Sequence, residues 1–516
     1  MPQKGPRLDH PFNVIGLLER GVQNCPDQTA LASLQSNRTW LELDRDIDAV
    51  ARGLLALGLQ PGERVASLMP NRADLLVHYL ACIRAGLVAV PLNYRYMPPE
   101  IDHALGVSKA SVLLHHAERA EDVSHSIEAQ KLAKGKIVYG GDHNGLPRFE
   151  HLLTTNTPNV GLPVQDETAP AIIFFTSGST GKPKGVTHSA ETLGWMLAST
   201  AGAFEMTHTD VVLPGSSISH LGGFMFSLAA LGAGAQVLVA RAFDGEEVLP
   251  LMRAHKPTVL CMLPAPLLHL VRDYGATKQD FASLRMCRCG SDKVPAELEK
   301  EFTDLTGLVI DEGYGMSEVG LAALNPPSGV IKMGSLGKPI PGFDFSLRND
   351  TGNEVPTGED GILWMKTKSA TIGYWDNDEA TRDLFSDGWL NSGDLMKADE
   401  DGYCWFRGRK KQIIVHDGSN ICPQEVEEAL LEHHSIAGAG VVGVHDLMHG
   451  ENVRAYVVLQ PGQDVPTRNA LITFARERIG YKAPAEIEFL DEMPFNATGK
   501  VDRVTLKKMA EDAHTP

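Results

Sequence analysis

The chain has 516 residues, enough for two to four domains at roughly 100–200 residues each. Apolar residues make up 43% and charged residues 22%, with 50 Gly and 31 Pro, an ordinary globular composition that excludes disordered and collagen-like chains. Against 65 acidic residues stand 47 basic ones, a net charge of −18 that argues against wrapping nucleic acid or lying on an anionic membrane through bulk charge.

Seven cysteines at irregular spacing, with no Cys-x-x-Cys, read as reduced thiols of a cytoplasmic protein without a zinc site. The opening MPQKGPRLDHPFNVIG lacks the apolar core of a secretory signal, and no apolar run reaches the ~18 residues of a membrane span, so neither is expected. The ending EDAHTP carries no lipidation or peroxisomal signal. Oligomeric state is left open, a homodimer included.

Residues 40–62 show leucines, isoleucine and valine at helical spacing up to Pro61-Gly62, which predicts a helix. A strand is expected at Arg64–Met69, a helix at 72–86 and a strand from Val88, the order of a parallel, doubly wound sheet. Further buried strands are expected at Ala171–Phe175, Ala235–Ala240 and Thr258–Leu263. After about residue 335, short glycine-punctuated strands such as Gly361–Lys366 and Tyr403–Phe406 suggest an antiparallel, barrel-like subdomain to about 408. Pro423 near the start of a helix, strands at 438–444 and 453–459, a helix at 467–479 and a final strand with a basic tail make a small α/β domain. The expected division is 1–408 and 409–516.

The strongest local signal is Thr176-Ser177-Gly178-Ser179-Thr180-Gly181-Lys182-Pro-Lys184-Gly, straight after a buried strand. Glycines let backbone N–H groups turn toward an anion, hydroxyls donate to phosphate oxygens, and lysines neutralise charge. It is not a Walker A loop, because Pro183 follows Lys182. The alternative is a surface hairpin rich in Gly and Ser.

This loop resembles the phosphate loop of the adenylate-forming superfamily of acyl-CoA synthetases, peptide-synthetase adenylation domains and luciferases. Four more motifs follow in that family's order, and the resemblance spans roughly residues 30–506. In Gly313-Tyr314-Gly315-Met316-Ser317-Glu318 the resemblance implies that Tyr314 packs on adenine, Ser317 touches phosphate and Glu318 holds Mg²⁺. In Trp389-Leu-Asn-Ser-Gly-Asp394 it gives Asp394 the ribose hydroxyls, which suit an acceptor-only carboxylate. In Phe406-Arg-Gly-Arg409-Lys-Lys411 it puts Arg409 on the ribose and makes Lys411 the hinge of a mobile C-terminal domain; Gln412 stands where many relatives have an acid. In Pro494-Phe-Asn-Ala-Thr-Gly-Lys500 it makes Lys500 the catalytic lysine, a long-stemmed point charge for the negative charge that builds at the α-phosphorus of ATP.

The same resemblance places the acyl pocket at Ser217-Ile-Ser-His220-Leu-Gly222-Gly223-Phe224, with His220 lining the carboxylate site and the two glycines leaving room for an acyl group. Gly290, Ser291, Gly313 and Met316 complete the pocket, and Gly418, Ser419 and Asn420 form the coenzyme A face. Leu68–Asp74 and Gly86–Asn93 also resemble family segments and are expected to be scaffold. No Phe-Asp-x-Ser pattern is present to pair an α-ammonium, which favours an acid with an uncharged tail: medium-chain fatty, aryl, cinnamic-type or short branched. The expected activity is an acyl-CoA ligase using ATP, Mg²⁺ and coenzyme A. The alternatives are an adenylating enzyme that loads a carrier protein, a luciferase-like oxidation, and an inactive nucleotide-binding regulator.

Overall fold

The computed structural model describes residues 2–141, 145–154, 160–176, 183–290, 294–416, 419–446, 450–496 and 499–512. Two large sheets form the body. The strands Arg64–Leu68, Val88–Pro91, Val112–His116 and Lys136–Tyr139 run parallel in a seven-stranded sheet, and Pro170–Thr176 joins them beside Val88–Pro91. A nine-stranded sheet holds Val211–Gly215, Val259–Met262, Met286–Cys289 and Ile310–Met316 in parallel register. Strands such as Val88–Pro91 and Val259–Met262 read as unbroken apolar runs because both of their faces are covered.

The helices Ala190–Ala203 and Leu221–Ala233 are buried on nearly every side and share one core cluster with residues of both sheets. A helix apolar all round is what such a central position requires. Ser189 and Thr192 cap the start of the first through a reciprocal capping box.

A six-stranded antiparallel sheet includes Phe343–Arg348, Asp360–Thr367, Trp389–Ala398 and Cys404–Arg409. Its pairings among the described residues run as an open path, not a closed barrel, and Gln3–Lys4 at the N-terminus supplies an edge strand. The chain leaves this sheet at Arg409 and enters a five-stranded sheet with Ile414–His416. That last sheet, with the helices Pro423–Leu431 and Arg468–Ile479, has its own apolar core around Val426, Val441 and Leu471.

Two expectations differ from the structure. The first long helix stops at Ala56, not 62, because Gly58 takes φ +86° and breaks the run that Leu57 and Leu59 prolong in the sequence. The C-terminal tail is a helix, Arg503–Asp512, packed through Leu506 and Ala510, and the final strand is Glu486–Leu490. No helix among the described residues is long and apolar enough to cross a membrane.

Candidate active site

The strand Ile310–Met316 turns into Gly320–Leu324, and the turn exists because its glycines permit it. A Cβ on Gly315 would lie 2.4 Å from the Gly320 carbonyl oxygen, and Gly320 itself has φ +81°. This turn presents Tyr314, Met316, Ser317 and Glu318 together. The buried Tyr314 hydroxyl donates to Asp394 Oδ2 at 2.6 Å. Asp394 is almost fully buried, and its Oδ1 stands 3.0 Å from Arg409 Nε. Burial raises the Asp394 carboxyl above its ordinary range, opposed by the charge of Arg409, the Tyr314 hydroxyl and the charge of Lys500.

Glu318 is buried within the same electrostatic neighbourhood. Burial raises its carboxyl; the Tyr374 hydroxyl, donating to Oε1 at 2.7 Å, and the charge of Arg409 act against this, while Asp394 adds to it. A buried carboxylate held up in this way, next to a second one, is a site that a cation would complete, so the residues fit Mg²⁺. Tyr374 belongs to Gly373–Tyr374, which pairs with the strand Lys184–Ser189. Lys184 Nζ lies 4.8 Å from the centroid of the Tyr374 ring, which ties the far side of the phosphate-loop hairpin to Glu318. Thr176 pairs with Lys184 at the hairpin's base; residues 177–182 lie outside the described residues.

Lys500 comes from the small domain, on a turn anchored by Asn496, whose Oδ1 accepts the Lys500 N–H at 3.1 Å, with Gly499 at φ +82°. Its ammonium lies near enough to the large domain to lower both the Asp394 carboxyl and the His220 imidazole. His220 stands just before the helix Leu221–Ala233. Burial first, then Lys500 and Arg95, push its pKa down to about 4. Asn93 Nδ2 lies 3.2 Å from its Nε2, so the amide donates and the neutral ring carries its proton on Nδ1.

The remaining positions divide. Met316 Sδ lies 3.9 Å from the Tyr314 hydroxyl. Gly222 faces open space, with only Ser216 Oγ at 3.9 Å. Gly223 does not leave room for an acyl group: a Cβ there would sit 2.4 Å from the Ser217 carbonyl oxygen, so its smallness serves packing of helix against turn. Phe224 is a core residue packed on Tyr79 and Phe174, not a pocket wall. The space over Gly290 is filled by the Arg288 guanidinium. Lys411 lies in the 3₁₀ turn Lys410–Gln412, and Ser419 and Asn420 in the strand Ser419–Ile421. Ser291 and Gly418 lie outside the described residues.

Four residues of this region carry no motif signal as site residues. Asn93 sits in a segment expected to be scaffold, yet it meets His220. Asn71, in the other such segment, does act as scaffold: it accepts from Ile218 N at 2.9 Å and donates to the Ser216 carbonyl at 3.2 Å, fixing the turn before His220. His188 donates through Nε2 to the Ser317 carbonyl at 2.8 Å and is held neutral by burial, its pKa pushed down to about 4. Tyr374 is the fourth.

The architecture is that of the adenylate-forming enzymes: paired α/β sheets, an antiparallel third sheet, and a small domain that brings a lysine to the cleft. The chain belongs to the AMP-binding enzyme family, whose main domain matches residues 18–375 and whose C-terminal domain matches residues 425–500. It is 34% identical to a feruloyl-CoA synthase of Amycolatopsis over 93% of this chain and 96% of that one. It is 30% identical to the fatty acid–[acyl-carrier-protein] ligase ScoC of Streptomyces coeruleorubidus over 97% of both. ATP-bound MatB of Rhodopseudomonas palustris superposes with a TM-score of 0.88 at 27% identity, covering 97% of this chain and all of that one (100%).

Proposed function

We propose that the protein is an ATP-dependent acyl-CoA ligase that activates a carboxylic acid as its acyl-adenylate and then transfers the acyl group to coenzyme A. The observation that carries this reading is the buried cluster of Tyr314, Asp394 and Arg409 beside Glu318, with the charge of Lys500 acting on it from the small domain. In the first step a carboxylate oxygen attacks the α-phosphorus of ATP and pyrophosphate leaves. Lys500 would align the two mutually repelling anions and neutralise the charge that grows at the phosphorus. Asp394 and Arg409 orient the ribose, Tyr314 the adenine and Ser317 the phosphate. Glu318 would hold Mg²⁺, which supplies charge neutralisation on the phosphate oxygens.

Neutral His220 lines the carboxylate end of the acyl site without competing as an anion or a cation. In the second step the small domain, residues 409–516, turns about Lys411 and presents its Gly418–Asn420 face. The coenzyme A thiolate attacks the acyl carbonyl carbon, and AMP leaves. Two conformations let one cleft use two faces in turn.

Among the acids left open, a cinnamic-type aryl acid is favoured by the likeness to a feruloyl-CoA synthase. The likeness to ScoC supports carrier-protein loading as the second reading. A cytoplasmic location goes with the absence of any membrane-crossing helix among the described residues. The test is pyrophosphate release from a panel of acids with ATP and Mg²⁺, with and without coenzyme A. Multiple turnovers that require coenzyme A support the ligase. A single burst that coenzyme A leaves unchanged supports carrier loading.

A further inference from the structure

Arg288 lies in the strand Met286–Cys289 and is 8% exposed. Among the described residues no carboxylate forms an ion pair with it. Its Nη2 donates to the Gly313 carbonyl at 3.3 Å, a long bond, and its Cζ lies 5.3 Å from the Phe226 ring centroid. The buried Nε has no acceptor among the described residues. A Cβ on Gly290 would lie 2.4 Å from Nη2, so only glycine there lets the guanidinium occupy its place. The register neighbour Asp311 shares the strand face but takes its hydrogen bond from Asn325, at 2.9 Å. Burial pushes the Asp311 carboxyl up to about 7, and the nearby Arg288 offsets only part of this.

A buried guanidinium with donors to spare is unstable unless something accepts from it. The three elements that surround it also carry the acyl-site positions. Phe226 is on the helix that follows His220, Gly290 follows the strand of Arg288, and Gly313 begins the turn to Met316. An uncharged hydrocarbon tail would leave Arg288 unsatisfied beside it. An oxygen on the acyl group would take the idle N–H groups.

We infer that Arg288 is a specificity-determining residue that donates to an oxygen on the acyl part of the substrate, remote from the carboxylate being activated; this rests on the ligase reading and narrows its substrate class to oxygen-bearing acids such as ring-hydroxylated cinnamic acids. The test is coenzyme A-dependent turnover of two matched pairs, cinnamate with 4-hydroxycinnamate and octanoate with 8-hydroxyoctanoate. Wild-type enzyme is expected to favour the oxygenated member of its better pair by about tenfold or more in kcat/KM. Arg288→Met should erase that preference while sparing the plain acid, and Arg288→Lys should restore part of it. Gly290→Ala, which displaces the guanidinium, should weaken the same preference without removing the charge. Equal turnover within each pair by the wild type overturns the assignment of Arg288, as does an equal slowing of all acids by Arg288→Met; either leaves the ligase reading standing. Pyrophosphate release from none of the four acids overturns both.

Discussion

Asp394 and Arg409 stand opposite each other on one rung of the antiparallel pair Trp389–Ala398 and Cys404–Arg409, with Oδ1 3.0 Å from Nε. The acid is buried and the base is partly exposed. The arginine therefore reaches solvent while compensating a charge that the fold has removed from water. Removing it exposes the imbalance.

Arg409→Met should raise the Asp394 carboxyl further and weaken ATP binding. Stability should fall by about 1–2 kcal/mol at pH 8. The deficit should shrink toward pH 5, because protonating Asp394 removes the uncompensated charge. Thermal unfolding of both proteins at the two pH values checks this; an equal deficit at both refutes it.

Lys500→Ala should slow adenylate formation by about a hundredfold or more. Thioester formation from supplied acyl-adenylate should be nearly unchanged, since the role proposed for the lysine is confined to the first step. Parallel assays of the two half-reactions decide it. Equal losses would mean that Lys500 acts in both.

Tyr374→Phe removes the hydroxyl that donates to Glu318 at 2.7 Å. The buried carboxyl should then rise further, and a cation would be held less well. The Mg²⁺ concentration for half-maximal adenylation should increase by about tenfold with little loss of fold. An unchanged Mg²⁺ dependence would separate Tyr374 from the metal.

His78 and His188 are buried and neutral, with pKa values pushed down to about 3 and about 4 from the ordinary 6.5. The unfolded chain takes up protons near pH 6.5 that the native state refuses, so stability is full above that pH and falls below it. Each histidine contributes a slope of about 1.4 kcal/mol per pH unit through the window from 6.5 down to about 4. His220 adds to this dependence, while Asp311, raised to about 7, and the raised Glu318 and Asp394 carboxyls work in the opposite sense. The test is therefore a difference: in urea unfolding between pH 7.5 and 4.5, His188→Gln should lose less stability on acidification than the wild type, by about 1.4 kcal/mol per pH unit. Parallel profiles for the two proteins would contradict it.

Gly222 and Gly223 are adjacent and should respond differently. Gly223→Ala drives a methyl into the Ser217 backbone and should destabilise by about 1–3 kcal/mol, while Gly222→Ala should be close to neutral. Chemical denaturation of the two variants compares them directly.

Strands such as Pro170–Thr176 and Val259–Met262 are legible because doubly covered strands can be continuous apolar runs, whereas Met286–Cys289 and Ile310–Met316 are not, because Arg288, Asp311 and Glu312 interrupt them. The C-terminal helix Arg503–Asp512 is not, because Leu506 and Ala510 alone are buried within an otherwise polar segment. Tyr314, Glu318, Asp394, Arg409 and Lys500 are visible because each sits in a short motif that resembles one of the adenylate-forming family, in that family's order. Asn93, His188 and Tyr374 meet their partners across 127, 129 and 56 residues, a relationship that only the folded sheets create. Arg288 gives no periodic signal, since a buried arginine in a strand of cysteines differs from a surface one only in what surrounds it. Gly223 and Gly290 are misleading for the same reason: the sequence marks a missing side chain, and the fold decides whether backbone, guanidinium or open space takes its place.

Where the chain passes from the large domain to the small one, Gly408 has φ +126°, and its missing side chain is overlain by Cys422, whose Sγ lies 2.6 Å from where a Cβ would be. Burial at this seam raises the Cys422 thiol above its ordinary range. In the proposed rotation of the small domain about Lys411, that sulfur would leave the glycine for water, where it would become both more acidic and more open to attack. Cys422 would then serve as an intrinsic label for the proposed cycle: the rate at which a maleimide captures it would report how often the two domains part, with no probe engineered into the chain.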